Sequence, residues 1–353
     1  MRKFRRIATL ALAIAIAASS AIAFSGCDKK GGSANLSNDG KTLVIYSWND
    51  EFEIIMNDYY LKDNPLPDGI KFKYVNLNGS GTYQTKLDNA IAGNQEMDIF
   101  LMEADYAKKY INSANTVALT EIGITEKDMQ KNQYQYTIDV AKDNDGVIKG
   151  SSWQAAPGLF MYRRDIAKNL LGTDDPAAIQ EMVADWDKFL DTAKTLSDKS
   201  DGKTKIVSSI DDIWQAVRTA RTASWVDKDN KLNSSDPVID GYLDLAKSLL
   251  SNDYVANFTP WTTEWNSVMN TDEVLGFFGT TWFPSYPLMA MSTDHPEDWA
   301  AVQGPIDYYW GGTWVAVSPN CDNKDIVKDI IEYITIETES MQKYASGKPD
   351  YVN

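Results

Sequence analysis

Residues 146–164 read GVIKGSSWQAAPGLFMYRR, and the order of residue types in this stretch decides how the rest of the chain is arranged. Val147 to Trp153 is a small, polar, extended segment, whereas Leu159 to Tyr162 is an apolar run of the kind buried on both faces of a sheet. Pro157 drives Ala156 towards β or polyproline geometry, so the link between the two runs cannot be helical. The stretch is therefore read as the place where the chain crosses from one lobe to another, with Trp153 delivered beside the crossing. A tryptophan there either stacks on a ligand or fills the interface between lobes, and both readings stand at this point.

Upstream of the crossing, TLVIYS from Thr42 to Ser47 predicts a short strand. Phe52, Ile55, Met56 and Tyr59 then mark one face of a helix. Ile70 to Val75 predicts a second strand. After Asn78-Gly79-Ser80-Gly81, a helix carries Tyr83, Leu87, Ala90 and Ile91 inward and ends at Gly93; Asp98 to Met102 predicts a third strand. Strands alternating with helices through short joints imply a parallel sheet whose ligand crevice lies beyond the strand C-termini. Trp48, Asn49, Glu51, Glu103 and Asp105 fall there.

Downstream, Asp185 caps a helix whose Trp186, Phe189, Leu190 and Ala193 form one stripe, with Trp186 expected in the core. Asp236 before Pro237 opens another, with Val238, Tyr242, Leu245 and Leu249 inward. These helices and Ile206 to Ser208 predict a second lobe. Asp272 to Trp282, Pro305-Ile306 and Gly311 to Val317 are strand-like and are expected to carry the chain back and over again, with Ile326, Ile330, Tyr333 and Ile334 as a closing amphipathic helix. The expected division is residues 42–150 with 272–311 in an N-terminal lobe and residues 155–270 with 313–353 in a C-terminal lobe. Crossings would lie near 151–156, 270–274 and 311–314.

Arg2, Lys3, Arg5 and Arg6 precede an apolar, small-residue run from Ile7 to Ala23, the pattern of a secretion signal. Phe24-Ser25-Gly26-Cys27 resembles the lipobox of bacterial lipoproteins, which implies cleavage before Cys27 and its acylation; an uncleaved anchor is the alternative. Residues 27–41, polar and glycine-containing, then form a tether. The expected location is the cell surface, lipid-anchored to the outer face of the cytoplasmic membrane of a Gram-positive type of cell.

With 50 acidic against 34 basic residues the chain carries a formal charge of −16, and loss of the basic leader makes it more negative, which argues against nucleic acid as a partner. With Cys27 acylated, Cys321 has no intramolecular disulfide partner, so packing must supply stability. About 310 residues remain beyond the tether, enough to divide into two cores.

His295 is the one histidine, and no GxSxG occurs, so neither a histidine-based triad nor a two-histidine zinc site can be assembled. Gly79-Ser80-Gly81 lacks the rest of a dinucleotide or P-loop signature. Asp143-Asn144-Asp145-Gly146 and Asp227-Lys228-Asp229-Asn230 lack calcium-loop spacing and read as solvated turns. No catalytic residue, metal or cofactor is assigned. What the chain does hold is eleven tryptophans and eighteen tyrosines. Trp48, Trp153, Trp225, Trp282, Trp310 and Trp314 lie outside the helical stripes, several beside amides, hydroxyls or carboxylates. A sugar has an apolar CH face and a hydroxyl rim, which suits such surroundings; about half of these indoles are expected to touch ligand.

The ordered pieces TLVIYSW, MDIFLMEAD, DGVIKGSSWQAAPGLFMYRRDIA, VADWDKFLDTAKTL, VLGFFGTTWF and GGTWVAVSPNCDNKDIVKDIIEYI, behind a lipobox, resemble an extracellular solute-binding protein of an ABC sugar importer. The resemblance implies an α/β, two-lobed periplasmic-binding-protein-like fold of type II with three crossovers. It also implies a monomer that binds an oligosaccharide, malto-oligosaccharides among the candidates, and delivers it to permease subunits. It places Asp105 on sugar hydroxyls, Trp282 stacked on the ligand, and Asp212 and Trp214 in the second-lobe half of the site. The chain departs from the family's pattern at Arg163, where a small residue or asparagine is usual, and relatives continue with further C-terminal helices. IYSWNDEF also resembles the opening of polyamine receptors, and a surface glycoside hydrolase or an adhesin are rival classes.

Overall fold

The computed structural model describes residues 40–347 except 78–79, 222, 228, 230 and 234–235. The expected signal sequence, Cys27 and nearly all of the expected tether lie outside these residues, as do Asn78 and Gly79.

Among the described residues, nine strands form two sheets. The first takes β1 (Thr42–Ser47), β2 (Lys71–Asn76), β3 (Ile99–Glu103), β4 (Ser151–Ser152) and β9 (Thr313–Val317) in the order β2-β1-β3-β9-β4. Strands β1, β2 and β3 are parallel, as the strand–helix alternation predicts, and β9 runs antiparallel to β3 with Ile99 opposite Val317 and Glu103 opposite Thr313. The second takes β5 (Gly158–Arg163), β6 (Lys205–Val207), β7 (Val274–Thr280) and β8 (Trp299–Val302) in the order β6-β7-β5-β8. Phe160 and Phe278 face one core cluster while Met161 and Phe277 face another, so the apolar run after Pro157 is covered on both faces as its composition requires.

The lobe boundaries expected in the returning half are corrected by these pairings. Val274 does not cross back to the first sheet: β7 pairs with β6 and β5 and is buried along its whole length, because its phenylalanines are shared by the cores on either side of the second sheet. Residues 274–302 thus belong with the second sheet. The helix Lys324–Thr335, expected in the second lobe, buries Val327, Ile330, Ile331 and Ile334 in the first core, since β9 has already returned the chain to β3. The chain passes between sheets between β4 and β5 and again between β8 and β9. The two passages are bonded to each other: Gly158 N–H donates to Tyr308 O at 2.8 Å and Trp310 N–H to Ala156 O at 3.1 Å, with Pro157 opposite Tyr309.

Arg163 is a structural residue. Its guanidinium is buried, forks onto Asp165 at 2.8 and 2.6 Å, and donates to the carbonyls of Met269 and Thr271 at 3.3 Å. It thereby ties β5 to the segment entering β7. Asp165 is partly exposed and water can serve it once the arginine is gone, but the Met269 and Thr271 carbonyls lose their donor and the buried side chain leaves a void. Arg163→Ala is expected to lower unfolding free energy by about 2–3 kcal/mol in urea titration, and a loss under about 1 kcal/mol would refute this role.

Candidate ligand-binding site

A cavity of about 670 Å³ opens where the two passages run between the sheets. Its volume falls within the usual ~300–1,000 Å³ of small-molecule sites. Most of its wall consists of joints and strand ends, with Tyr344 reaching in from the helix Thr338–Ala345. The β1 joint supplies Trp48, Asn49 and Glu51; the end of β3 supplies Glu103; the first passage supplies Trp153 and Gln154; the end of β7 supplies Trp282; the second passage supplies Trp310, Gly311 and Gly312. Trp261 and Tyr344 complete it.

Glu51 is the anchor on the first-sheet side. Its carboxylate accepts from Gln154 Nε2 at 2.8 and 3.1 Å, Trp153 Nε1 at 3.3 Å and the Tyr344 hydroxyl at 3.3 Å. Burial raises its pKa, and these three donors oppose the rise. Trp153 is itself mostly buried: it packs on Phe52 at 5.2 Å in the first core, not between the lobes, and it also lines the cavity. Glu103 closes β3. One of its oxygens accepts the Asp105 N–H at 2.9 Å, capping the helix Ala104–Ile111, and burial with the nearby Asp105 charge pushes its pKa up to about 7.

On the other side the indoles form a cluster. Trp282 lies 6.2 Å from Trp261 at 22° and 5.0 Å from Trp310 at 70°, and Trp261 lies 5.9 Å from Trp310. Trp282 Nε1 donates to Trp310 O at 3.0 Å. The close approach needs glycine: Gly311 has φ +81, and a Cβ there would sit 3.0 Å from Trp282 Nε1. Trp261 has φ +69, a left-handed conformation that costs a bulky residue of order 1 kcal/mol and persists where surroundings enforce it.

The structure therefore brings together Trp48, Asn49, Glu51, Trp153, Trp282 and Trp310 of the residues expected from sequence. It does not bring in the others. Asp105 is bound by Arg218 Nη1 at 2.6 Å. Asp212 is buried beneath Ser208 and Ser209, whose hydroxyls hold its side chain and its N–H. Trp214 packs on Tyr242 at 5.1 Å, and Trp225 lies under the Arg221 guanidinium at 3.6 Å, a separate cluster. Trp314 is wholly buried in the first core with Nε1 on Thr137 O at 2.8 Å. Sequence reasoning missed Trp261 and Tyr344. The signal for the first was available: Thr262 accepts from Trp265 N–H as a helix cap, which leaves Trp261 just outside a helix start and so at a joint.

Residues 60–351 match the family described as bacterial extracellular solute-binding protein, and the chain belongs to that family. Its members bind solutes and are not enzymes. No curated protein matches the chain. Among solved structures, an extracellular solute-binding protein of family 1 superposes with a TM-score of 0.75 at 18% identity, covering 86% of this chain and 76% of that one. The galacto-N-biose/lacto-N-biose I-binding protein of an ABC transporter from Bifidobacterium longum, in complex with lacto-N-biose, gives 0.66 at 14% identity, covering 85% and 76%. An ABC substrate-binding protein from Listeria monocytogenes in complex with cycloalternan gives 0.60 at 18%, covering 88% and 83%. The fold is thus the mixed α/β two-sheet fold of periplasmic solute-binding proteins. Among the described residues no helix is long and apolar enough to cross a membrane.

Proposed function

We propose that this chain is the receptor of an ABC importer, lipid-anchored through Cys27, which captures an oligosaccharide between two lobes and presents it to permease subunits. The lobes are residues 42–152 with 313–347, and residues 158–302, joined by the paired passages. The observation that carries this reading is the convergence of five indoles, two carboxylates and two amide side chains on one cavity built from both sheets. Indole faces suit the CH face of a sugar ring, and carboxylate and amide groups suit its hydroxyl rim. The neighbours bound to lacto-N-biose and cycloalternan support the same ligand class. Closure on ligand requires that the sugar favour the closed arrangement, which a wall contributed from both lobes allows.

A thermal-shift screen against a panel of di- to hexasaccharides tests the reading. Ligand at a hundred times its Kd adds about 2.7 kcal/mol to stability, a clear rise in melting temperature. A shift with spermidine and with no glycan in the panel would overturn it.

A further inference from the structure

The ion pair of Asp105 runs from one body to the other. Asp105 stands in the first turn of the helix Ala104–Ile111, just after β3, and Arg218 follows the last residue of the helix Ile210–Val217 in the second body. Arg218 Nη1 lies 2.6 Å from Asp105 Oδ1. Each charge sits where its own helix favours it, a carboxylate near an N-terminus and a guanidinium at a C-terminus. Asp105 is further fixed by Glu103, whose side chain accepts its N–H at 2.9 Å. Both backbone positions are thus set within their own body, and the contact between them bypasses the two passages.

The pair is strong enough to bias the bodies and too weak to lock them. Asp105 is half-exposed and Arg218 partly so, which places the contact among modest, salt-screened ion pairs. The closed arrangement also carries a penalty at the same point. Arg218 Nε is buried and has no hydrogen-bond partner among the described residues, and a buried donor left unmet offsets part of the attraction. Water reaches that group when the bodies part. Neither Asp105 nor Arg218 lines the cavity, so the contact acts on a ligand only through the arrangement of the walls.

We propose that Asp105 and Arg218 are positioning residues for capture: a clasp that favours the closed arrangement of the two bodies and strengthens binding without touching the ligand. This rests on the reading of the chain as a receptor that closes. Affinity for a ligand that needs the closed arrangement scales with the fraction of the chain already closed. A partly exposed ion pair changes that balance by up to about fivefold. A neutral sugar has no charge of its own, so its affinity responds to ionic strength through protein charges such as these.

Spin labels, one on each body of the whole chain, test this by their distance distribution with no sugar added. Arg218→Met is expected to shift the distribution toward longer distances, as is raising salt from about 20 to about 500 mM in the unaltered chain. Asp105→Asn breaks the pair from its exposed side and gives the same distances, and the double variant goes no further than either alone. Arg218→Lys keeps the charge and restores part of the short-distance population. Calorimetry with maltotriose reads the consequence for capture: binding about threefold to fivefold weaker in Arg218→Met, with a salt dependence in the unaltered chain that the variant lacks. Distances that neither substitution nor salt alters overturn the clasp, and so does equal maltotriose affinity in the two chains. A chain that takes up no maltotriose leaves the distances to decide, so loss of the sugar reading and loss of the clasp are told apart.

Discussion

Trp282→Ala is expected to weaken oligosaccharide binding by roughly 30-fold to 1,000-fold, the range of a buried aromatic anchor at the centre of an interface. The residue leaves the end of β7, meets Trp261 and Trp310, and is locked by its Nε1 bond to Trp310 O. Truncation removes a plate and also frees the glycine-built passage that packs on it. Trp282→Phe keeps an aromatic face without the N–H, so its loss should be about tenfold smaller. Trp225→Ala serves as a control: that indole lies under Arg221 outside the cavity, and affinity should stay within about twofold. Titration calorimetry reads all three, and a change under about threefold for Trp282→Ala would remove this indole from the site.

Asp212 gives the second large effect, on stability. Its carboxyl is buried, takes the Ser208 hydroxyl, and is linked through Ser208 to Trp265 Nε1 at 2.8 Å. Burial pushes its pKa up to about 7, the Asp211 charge adds to the rise, and the Ser208, Ser209 and Trp265 contacts oppose it. The unfolded carboxyl titrates near 3.9. Between those values the folded state holds a proton that the unfolded state has lost, so stability is greatest at the acidic end and falls as pH rises to about 7. The fall is on the order of 3–4 kcal/mol for this one group. Asp212→Asn preserves the shape and the hydroxyl partner and has no proton to lose, so at pH 8 it should be the more stable protein. Glu51 and Glu103, both raised by burial, retain slopes of the same sign in either protein. Urea titrations at pH 5 and pH 8 decide; identical pH slopes for the two proteins would show that Asp212 is not the group responsible.

The first half of the fold was legible because its signals are local. Phe52, Ile55, Met56 and Tyr59 repeat at helical spacing and all are buried, and the strand ends they flank carry Trp48, Asn49 and Glu51 into the cavity. Caps were equally readable: Asp185 accepts from Lys188 N–H at 2.8 Å and Asp236 from Val238 N–H at 2.9 Å, as their positions before the helices imply. Partner choice among strands was not. Val274 to Thr280 and Thr313 to Val317 are both fully buried apolar runs, and nothing in either says which sheet it joins, since that depends on pairings with β5 and β3 far away in sequence. The same limit applies to indoles. Trp310 and Trp314 are four residues apart and look alike, yet one precedes the glycine pair and faces the cavity while the other lies inside β9 and faces the core. The ion pair of Asp105 was not legible because the arginine that takes it, Arg218, is more than a hundred positions downstream.

The bonding between the two passages has a mechanical consequence. A single covalent strand between bodies would act as a swivel, free to rotate in any direction, whereas two strands laced by Gly158 to Tyr308 and Trp310 to Ala156 behave as a strap. A strap bends across its width far more readily than it twists. If the proposed closure occurs, opening and shutting would follow nearly one path, and a single distance ruler, such as a fluorophore pair with one dye on each body, would suffice to report it.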